Sequence, residues 1–308
     1  MHSIKQAALA GLASFALAAP AHAYIDIVFD YRYDTTGYFT DDKRAVLEQV
    51  ASAFESRIFS DLTAVTSDPA GDGLIAMPFF GLTSIRDFSV GQGQFYIFVN
   101  SSGTATAKES HNVSGGQGGF SYTRGIRGSA EFKDNHLYRG QEVDTRYGGA
   151  LTFSSTLDYY VDEDISTVES FSGQYDFYTA ALKGMLDIFS VNLTTDARGR
   201  FNGEHLKSQN NGLPVNSQVN GGKRTVGGVM GSLADGSLQE AVFAFGLATG
   251  ERRYLTELDY ALIDDAGWDV SGFTEMPNTP PVPEPQTWAM LAAGLGLIGL
   301  QARKKMRG

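Results

Sequence analysis

Cysteine is absent from the 308 residues, so neither disulfide support nor thiolate chemistry is open to this chain. Histidine is nearly as scarce. Five occur, and His2 and His22 fall in an N-terminal leader, which leaves His111, His136 and His205 for any imidazole chemistry. Bases are in deficit, 24 against 35 acids, for a formal net charge of −11. The two ends hold Glu284 and five of the bases (Lys5, Arg303, Lys304, Lys305 and Arg307), so the middle carries 34 acids against 19 bases, net −15. Such a surface repels a phosphate backbone, and with no basic groove in view nucleic acid is excluded as a partner. No Gly-x-Ser-x-Gly elbow joins a strand to a helix, and no glycine cluster ends in Gly-Lys-Ser/Thr, so nucleophilic hydrolysis and phosphate cradling lack specific support. No repeat recurs at periods of 20 to 50 residues.

What is present is concentrated first at the two ends. Met1 to Gln6 carries Lys5, Ala7 to Ala19 is apolar, and Pro20-Ala21-His22-Ala23 places small residues at Ala21 and Ala23, the pattern of a signal-peptidase site. The apolar run is shorter than the roughly 20 residues that span a bilayer, which favours a cleaved signal over an anchor. Residues 1–23 therefore read as a signal peptide, with Tyr24 as the first mature residue.

At the other end, Val282-Pro283-Glu284-Pro285 precedes an apolar run from Trp288 to Leu300 and then Arg303, Lys304, Lys305 and Arg307. Positive charge beyond an apolar segment stays on the cytoplasmic side of a membrane. Pro277, Pro280 and Pro281 stiffen residues 273–281 into an extended linker that separates this tail from the body. The order of tetrapeptide, apolar segment and basic cluster resembles the PEP-CTERM sorting signal of exported proteins of Gram-negative bacteria, here residues 282–308 with the hydrophobic segment at 288–300. The resemblance implies transient anchoring in the inner membrane, recognition by a sorting enzyme of the exosortase type, and delivery to the cell surface or extracellular matrix.

Between the ends, residues 24–272 are enough for one well-buried core without cross-links. Ile25 to Phe29 is β-branched and aromatic, a first strand. Thr40 stands before Asp41 and Asp42, and Leu47, Val50, Phe54 and Ile58 recur at helical spacing, which predicts a helix capped by Thr40. Gln94 to Val99 reads as a strand, whereas Gly115-Gly116-Gln117-Gly118-Gly119 and Gly148-Gly149 read as tight turns or surface loops. Phe177, Ala181, Leu182, Met185, Leu186 and Phe189 form an apolar stripe within Gln174 to Val191, a core helix. A last helix begins at Thr256, with Asp259 three residues on as in a capping box, and leaves through Gly267 before Trp268. The acidic run Asp162-Glu163-Asp164 lacks the alternation of a calcium loop and reads as a solvated face.

Taken in order, Phe29-Asp30-Tyr31 before Thr40-Asp41, the glycine cluster at 115–119, Gly149-Ala150-Leu151-Thr152-Phe153, Asp176 to Leu182, and Leu255 to Asp259 leading to Gly267-Trp268 resemble the metzincin type of metallopeptidase-like proteins, from Ile25 to Val270. The resemblance implies an α+β fold: a twisted mixed sheet, two long helices and a closing C-terminal helix. In active members a helix carries His-Glu-x-x-His, because histidines four apart share one face and both reach zinc, and the Glu takes a proton from the zinc-bound water. The corresponding positions here are Lys183, Gly184 and Asp187. A protonated lysine has no lone pair for a metal and glycine has no side chain to act as base. The helix-ending glycine corresponds to Ser190, and the third-ligand position to Leu193.

The expectation is therefore an exported protein with a non-catalytic, degenerate peptidase-like body, no cofactor and no metal, and a binding role toward extracellular polysaccharide or peptide. The alternative is an active zinc metallopeptidase with non-standard ligands, for which Asp187, Glu204 and His205 are the available set. Lys183 and Asp187, four apart, are also spaced for an ion pair.

Overall fold

The computed structural model describes residues 25–66, 74–77, 83–103, 113–122, 139, 141, 147–167, 171–215, 217–220, 223–226, 228–244 and 246–271. The expected signal peptide with Ala21 and Ala23, the expected linker at 273–281, the expected sorting signal at 282–308, and His111 and His136 lie outside them. Among the described residues no helix is long and apolar enough to cross a membrane.

Four strands make the central sheet. β1 (Asp26–Asp30), β4 (Gln94–Ser102) and β7 (Gly148–Ser154) run parallel, and β5 (Val113–Gln117) closes one edge antiparallel, in the order β1-β4-β7-β5. Every residue of β7 is buried, as a strand must be when both faces of a parallel sheet are covered. On one face lie α1 (Asp41–Glu55) and α2 (Phe177–Phe189), whose apolar sides meet Ile27, Phe95, Ile97, Leu151 and Phe153 in one continuous core. On the other face a small sheet of β2 (Leu74–Met77), β3 (Ile85–Arg86) and β6 (Gly119–Tyr122) lies near a second cluster of Val65, Ala76, Phe88, Val90, Phe98, Tyr147 and Ala150.

The remaining elements are short: β8 (Tyr159–Tyr160) paired with β9 (Tyr175–Asp176), then α3 (Glu204–Gln209), the hairpins β10 (Ser217–Asn220) with β11 (Lys223–Val226) and β12 (Met230–Ser232) with β13 (Leu238–Glu240), and finally α4 (Glu257–Asp265). The result is a mixed α+β architecture.

Both long helices form where the sequence predicts them. Thr40 does occupy the N-cap of α1, but its side chain caps no backbone N–H and bonds the Asp42 carboxylate instead. The prediction for α4 holds in full: Thr256 and Asp259 form a reciprocal capping box, and Gly267 leaves at φ +97°, a left-handed conformation that glycine adopts without a Cβ penalty. Trp268 then packs edge-on to Phe95 and Phe189 and donates from Nε1 to the Phe189 carbonyl at 3.0 Å, satisfying one of the acceptors left over at the end of α2.

The glycine clusters overturn their reading as turns. Gly115 and Gly116 sit within β5, and Gly148 and Gly149 open β7. A Cβ built on Gly115 would come within 1.8 Å of the Gly184 carbonyl oxygen, and one on Gly184 within 2.8 Å of Leu151 Cδ2 and 3.0 Å of Val113 Cγ2. These glycines let a helix lie directly on a strand, a long-range use that local composition does not announce.

Candidate functional site

The site that the sequence singles out is the middle of α2, and its position is set at the N-terminus of that helix. Asp176 caps it, accepting from Thr179 N at 3.0 Å and Thr179 Oγ1 at 2.6 Å. Arg252 grips the same carboxylate from Nε (3.2 Å) and Nη2 (3.0 Å), and its Nη1 reaches Asp162 Oδ2 at 3.0 Å and the Thr167 carbonyl at 2.8 Å. Thr179 Oγ1 in turn accepts from Arg253 N at 2.8 Å. A buried carboxylate shared by a helix cap and a guanidinium keeps its charge compensated, and here it welds the start of α2 to the segment before α4. Asp162, read from sequence as part of a solvated acidic face, is thus half of an ion pair with a fully buried arginine side chain.

One turn further on, Lys183 is buried and its Nζ donates to the Ala244 carbonyl at 3.2 Å. Gly184 faces the sheet, against Leu151 and Val113. Asp187 is partly buried one turn beyond. Helix α2 ends at Ser190 with φ −94° and ψ 10°, so no left-handed exit redirects the chain there, and Leu193 is buried in the core. Lys183 therefore presents an ammonium committed to a backbone acceptor, and Gly184 has no room for a longer side chain without displacing the sheet. These residues do not fit a zinc ion: the donor set lacks two imidazoles and the base.

The Ala241–Ala244 turn that receives Lys183 is held from its other side by Asp259. This carboxylate, fully buried at the third position of α4, accepts from Val242 N (3.1 Å), Phe243 N (3.0 Å), Thr256 N (2.8 Å) and Thr256 Oγ1 (2.8 Å). Burial pushes its carboxyl up, and the backbone and side-chain donors around Thr256, Phe243 and Val242 pull it back toward ionisation. Sequence spacing showed the local half of this arrangement, the capping box. The turn seventeen residues upstream gave no signal.

The other candidate ligands find separate partners. Glu204 is exposed and pairs with Lys207 at 2.7 Å, while His205 Nδ1 lies 2.7 Å from Asp264 Oδ2. Asp265 accepts from His205 N (3.0 Å) and Leu206 N (2.8 Å), capping α3 from the end of α4. Among the described residues no group of three or more His, Asp or Glu is placed to hold a metal ion. A shallow cavity of about 410 Å³ lies beside this junction, lined by Phe59, Asp264, Asp269 and Val270.

Arg57 went unnoticed in the sequence. It is buried, binds Glu257 through two bonds of 3.1 Å, and lies over the Tyr260 ring at 3.8 Å. The partners are 200 residues apart, beyond any periodicity.

Compared with known protein families, residues 281–305 match the PEP-CTERM protein-sorting motif. No curated protein and no solved structure matches the chain significantly. The C-terminal segment is thus a PEP-CTERM signal, which marks the chain as an exported protein sorted through the membrane by exosortase.

Proposed function

We propose that this chain is an exported surface protein whose body is a non-catalytic, peptidase-like scaffold that binds extracellular polysaccharide or peptide, and whose tail is the substrate of exosortase. The tail reading is supported by the family match over residues 281–305. The non-catalytic reading is supported by one observation above all: the Lys183 ammonium is buried on the Ala244 carbonyl at the place where the resemblance to metzincins calls for an imidazole. A cation fixed there opposes a second cation by simple repulsion, and Gly184, at the position of the glutamate, has no side chain to act as base.

Two measurements test this. Purified full-length protein is expected to contain no stoichiometric zinc and to leave casein intact with or without a chelator; one zinc per chain together with chelator-sensitive digestion would overturn the non-catalytic reading. Mass spectrometry of the surface form is expected to show a C-terminus upstream of Arg303. Recovery of intact Arg303 to Gly308 would refute processing. Binding to matrix polysaccharide or peptide is read by pulldown, and its absence from both leaves the tail as the only specific interaction.

A further inference from the structure

The two ends of the described body meet on one short segment, Arg57 to Ser60. Ile25 N donates to the Ile58 carbonyl at 3.4 Å. From the other terminus, Ser271 N donates to the Arg57 carbonyl at 2.8 Å, Phe59 N donates to Asp269 O at 2.8 Å, and Ile58 and Val270 form an antiparallel bridge. The Arg57 side chain, already locked to Glu257, also donates from Nε (3.3 Å) and Nη2 (3.2 Å) to the Ser271 carbonyl. The exit of the chain is thus fastened by backbone and side chain to the strand-like segment that also receives its entry. This edge lies at the N-terminal ends of the parallel strands: Asp26 N bonds the Gly93 carbonyl, and Gly93 N bonds that of Leu62.

We infer that this edge, Ile25 with Arg57–Ser60 and Asp269–Ser271, is the face the body turns toward the bilayer during export and sorting. The inference rests on the sorting reading above. Chain length sets the geometry: Ile25 is six residues beyond Ala19, the end of the leader's apolar run, a reach of at most about 20 Å, and Trp288 is seventeen beyond Ser271, a reach of at most about 60 Å. With both tethers on one edge, the body folds while either or both remain in the membrane, and no connection has to cross its surface. The edge is held by tethering and not by adhesion, because Asp26, Asp61 and Asp269 are exposed on or beside it and repel anionic headgroups. Cleavage of the tail then frees the body from the membrane.

The absence of cysteine makes the test clean, since each introduced thiol is unique. Full-length chain carrying Asp61→Cys, Gln92→Cys or Ser155→Cys is labelled with one fluorophore and reconstituted by its C-terminal segment into phosphatidylethanolamine–phosphatidylglycerol vesicles with a headgroup quencher. Asp61 and Gln92 bond each other at the tethered edge. Ser155 is exposed just past the far end of β7, whose seven residues separate the two ends of the sheet. Quenching at residues 61 and 92 is expected to exceed that at residue 155 by at least about twofold, given the ~20 Å length of such a strand. Equal quenching, or stronger quenching at residue 155, overturns the orientation while leaving the sorting reading intact. A chain that does not float with the vesicles overturns both.

Discussion

Lys183 and Asp259 hold one backbone turn from opposite sides: the ammonium takes the Ala244 carbonyl at 3.2 Å while the carboxylate takes the N–H groups of Val242 and Phe243 at 3.1 and 3.0 Å. The turn joins α2 to α4 through two buried charges, each satisfied by backbone dipoles. Lys183→Met keeps the length of the side chain and removes the donor, and is expected to destabilise the fold by about 1–3 kcal/mol, the cost of leaving a buried acceptor unpaired. Asp259→Ala loses the capping box and the acceptor of two turn N–H groups together, and is expected to cost more, about 3–5 kcal/mol. Urea unfolding checks the order; a Lys183→Met variant as stable as wild type would show that the turn is held without its ammonium.

The contact between α2 and β5 predicts a steep response to a single methyl group. Gly115→Ala brings a Cβ against the Gly184 carbonyl, which cannot move without shifting the helix, and is expected to cost about 3 kcal/mol or more. Gly184→Ala meets side-chain atoms, the Leu151 Cδ2 and the Val113 methyls, rather than backbone, and gains about 1 kcal/mol of helix propensity, so its net cost is expected to be smaller. Chemical denaturation of both variants decides, and the reverse order would contradict the packing. Replacing Lys183, Gly184 and Asp187 together with His, Glu and His is expected to yield an unstable protein rather than a zinc site, read by circular dichroism beside metal content.

Arg57 and Glu257 form a buried pair whose halves cannot be removed singly. Arg57→Met or Glu257→Gln alone is expected to cost about 3–5 kcal/mol, because an uncompensated charge or unpaired polar group stays inside, whereas the double replacement recovers part of that loss. A double-mutant cycle measures the coupling. Purely additive losses would mean that the two side chains act independently.

Glu55 supplies the pH dependence. Its Oε1 accepts from Ile27 N at 2.7 Å, closing an N–H on the free edge of β1. Burial raises its carboxyl above the ordinary carboxylate range, opposed by that bond and reinforced by Asp26 and Glu48. A carboxyl raised in the folded state binds its proton more tightly there, so its favourable contribution is complete below the ordinary range and is lost as pH rises through the raised value. Glu55→Gln keeps an acceptor for Ile27 and never ionises. Its effect is expected to be near zero at pH 3 and to become stabilising by a few tenths of a kcal/mol at pH 7, solvent screening having reduced the figure. Thermal unfolding at the two pH values checks the sign.

The sequence alone determined what depends on neighbours along the chain. The apolar stripe of α2, the Thr256 and Asp259 capping box, the left-handed exit at Gly267 and the sorting tail are each written within a few residues, and helical spacing, reciprocal capping and charge order need no distant partner. The coarse α+β class was what the family resemblance implied, whereas the glycine clusters were misread as turns because their reasons are distant: Gly115 lies against Gly184 on a helix some seventy residues away, and Gly148 and Gly149 lie against the Tyr96 and Gly116 carbonyls of neighbouring strands. Tertiary structure alone decided that Lys183 ends on Ala244, that Asp162 meets Arg252, that Arg57 meets Glu257, and that Ile25 and Ser271 leave from one edge. Buried charges choose among whatever dipoles and counter-charges the completed core brings near them, and that choice is made only once distant segments have packed.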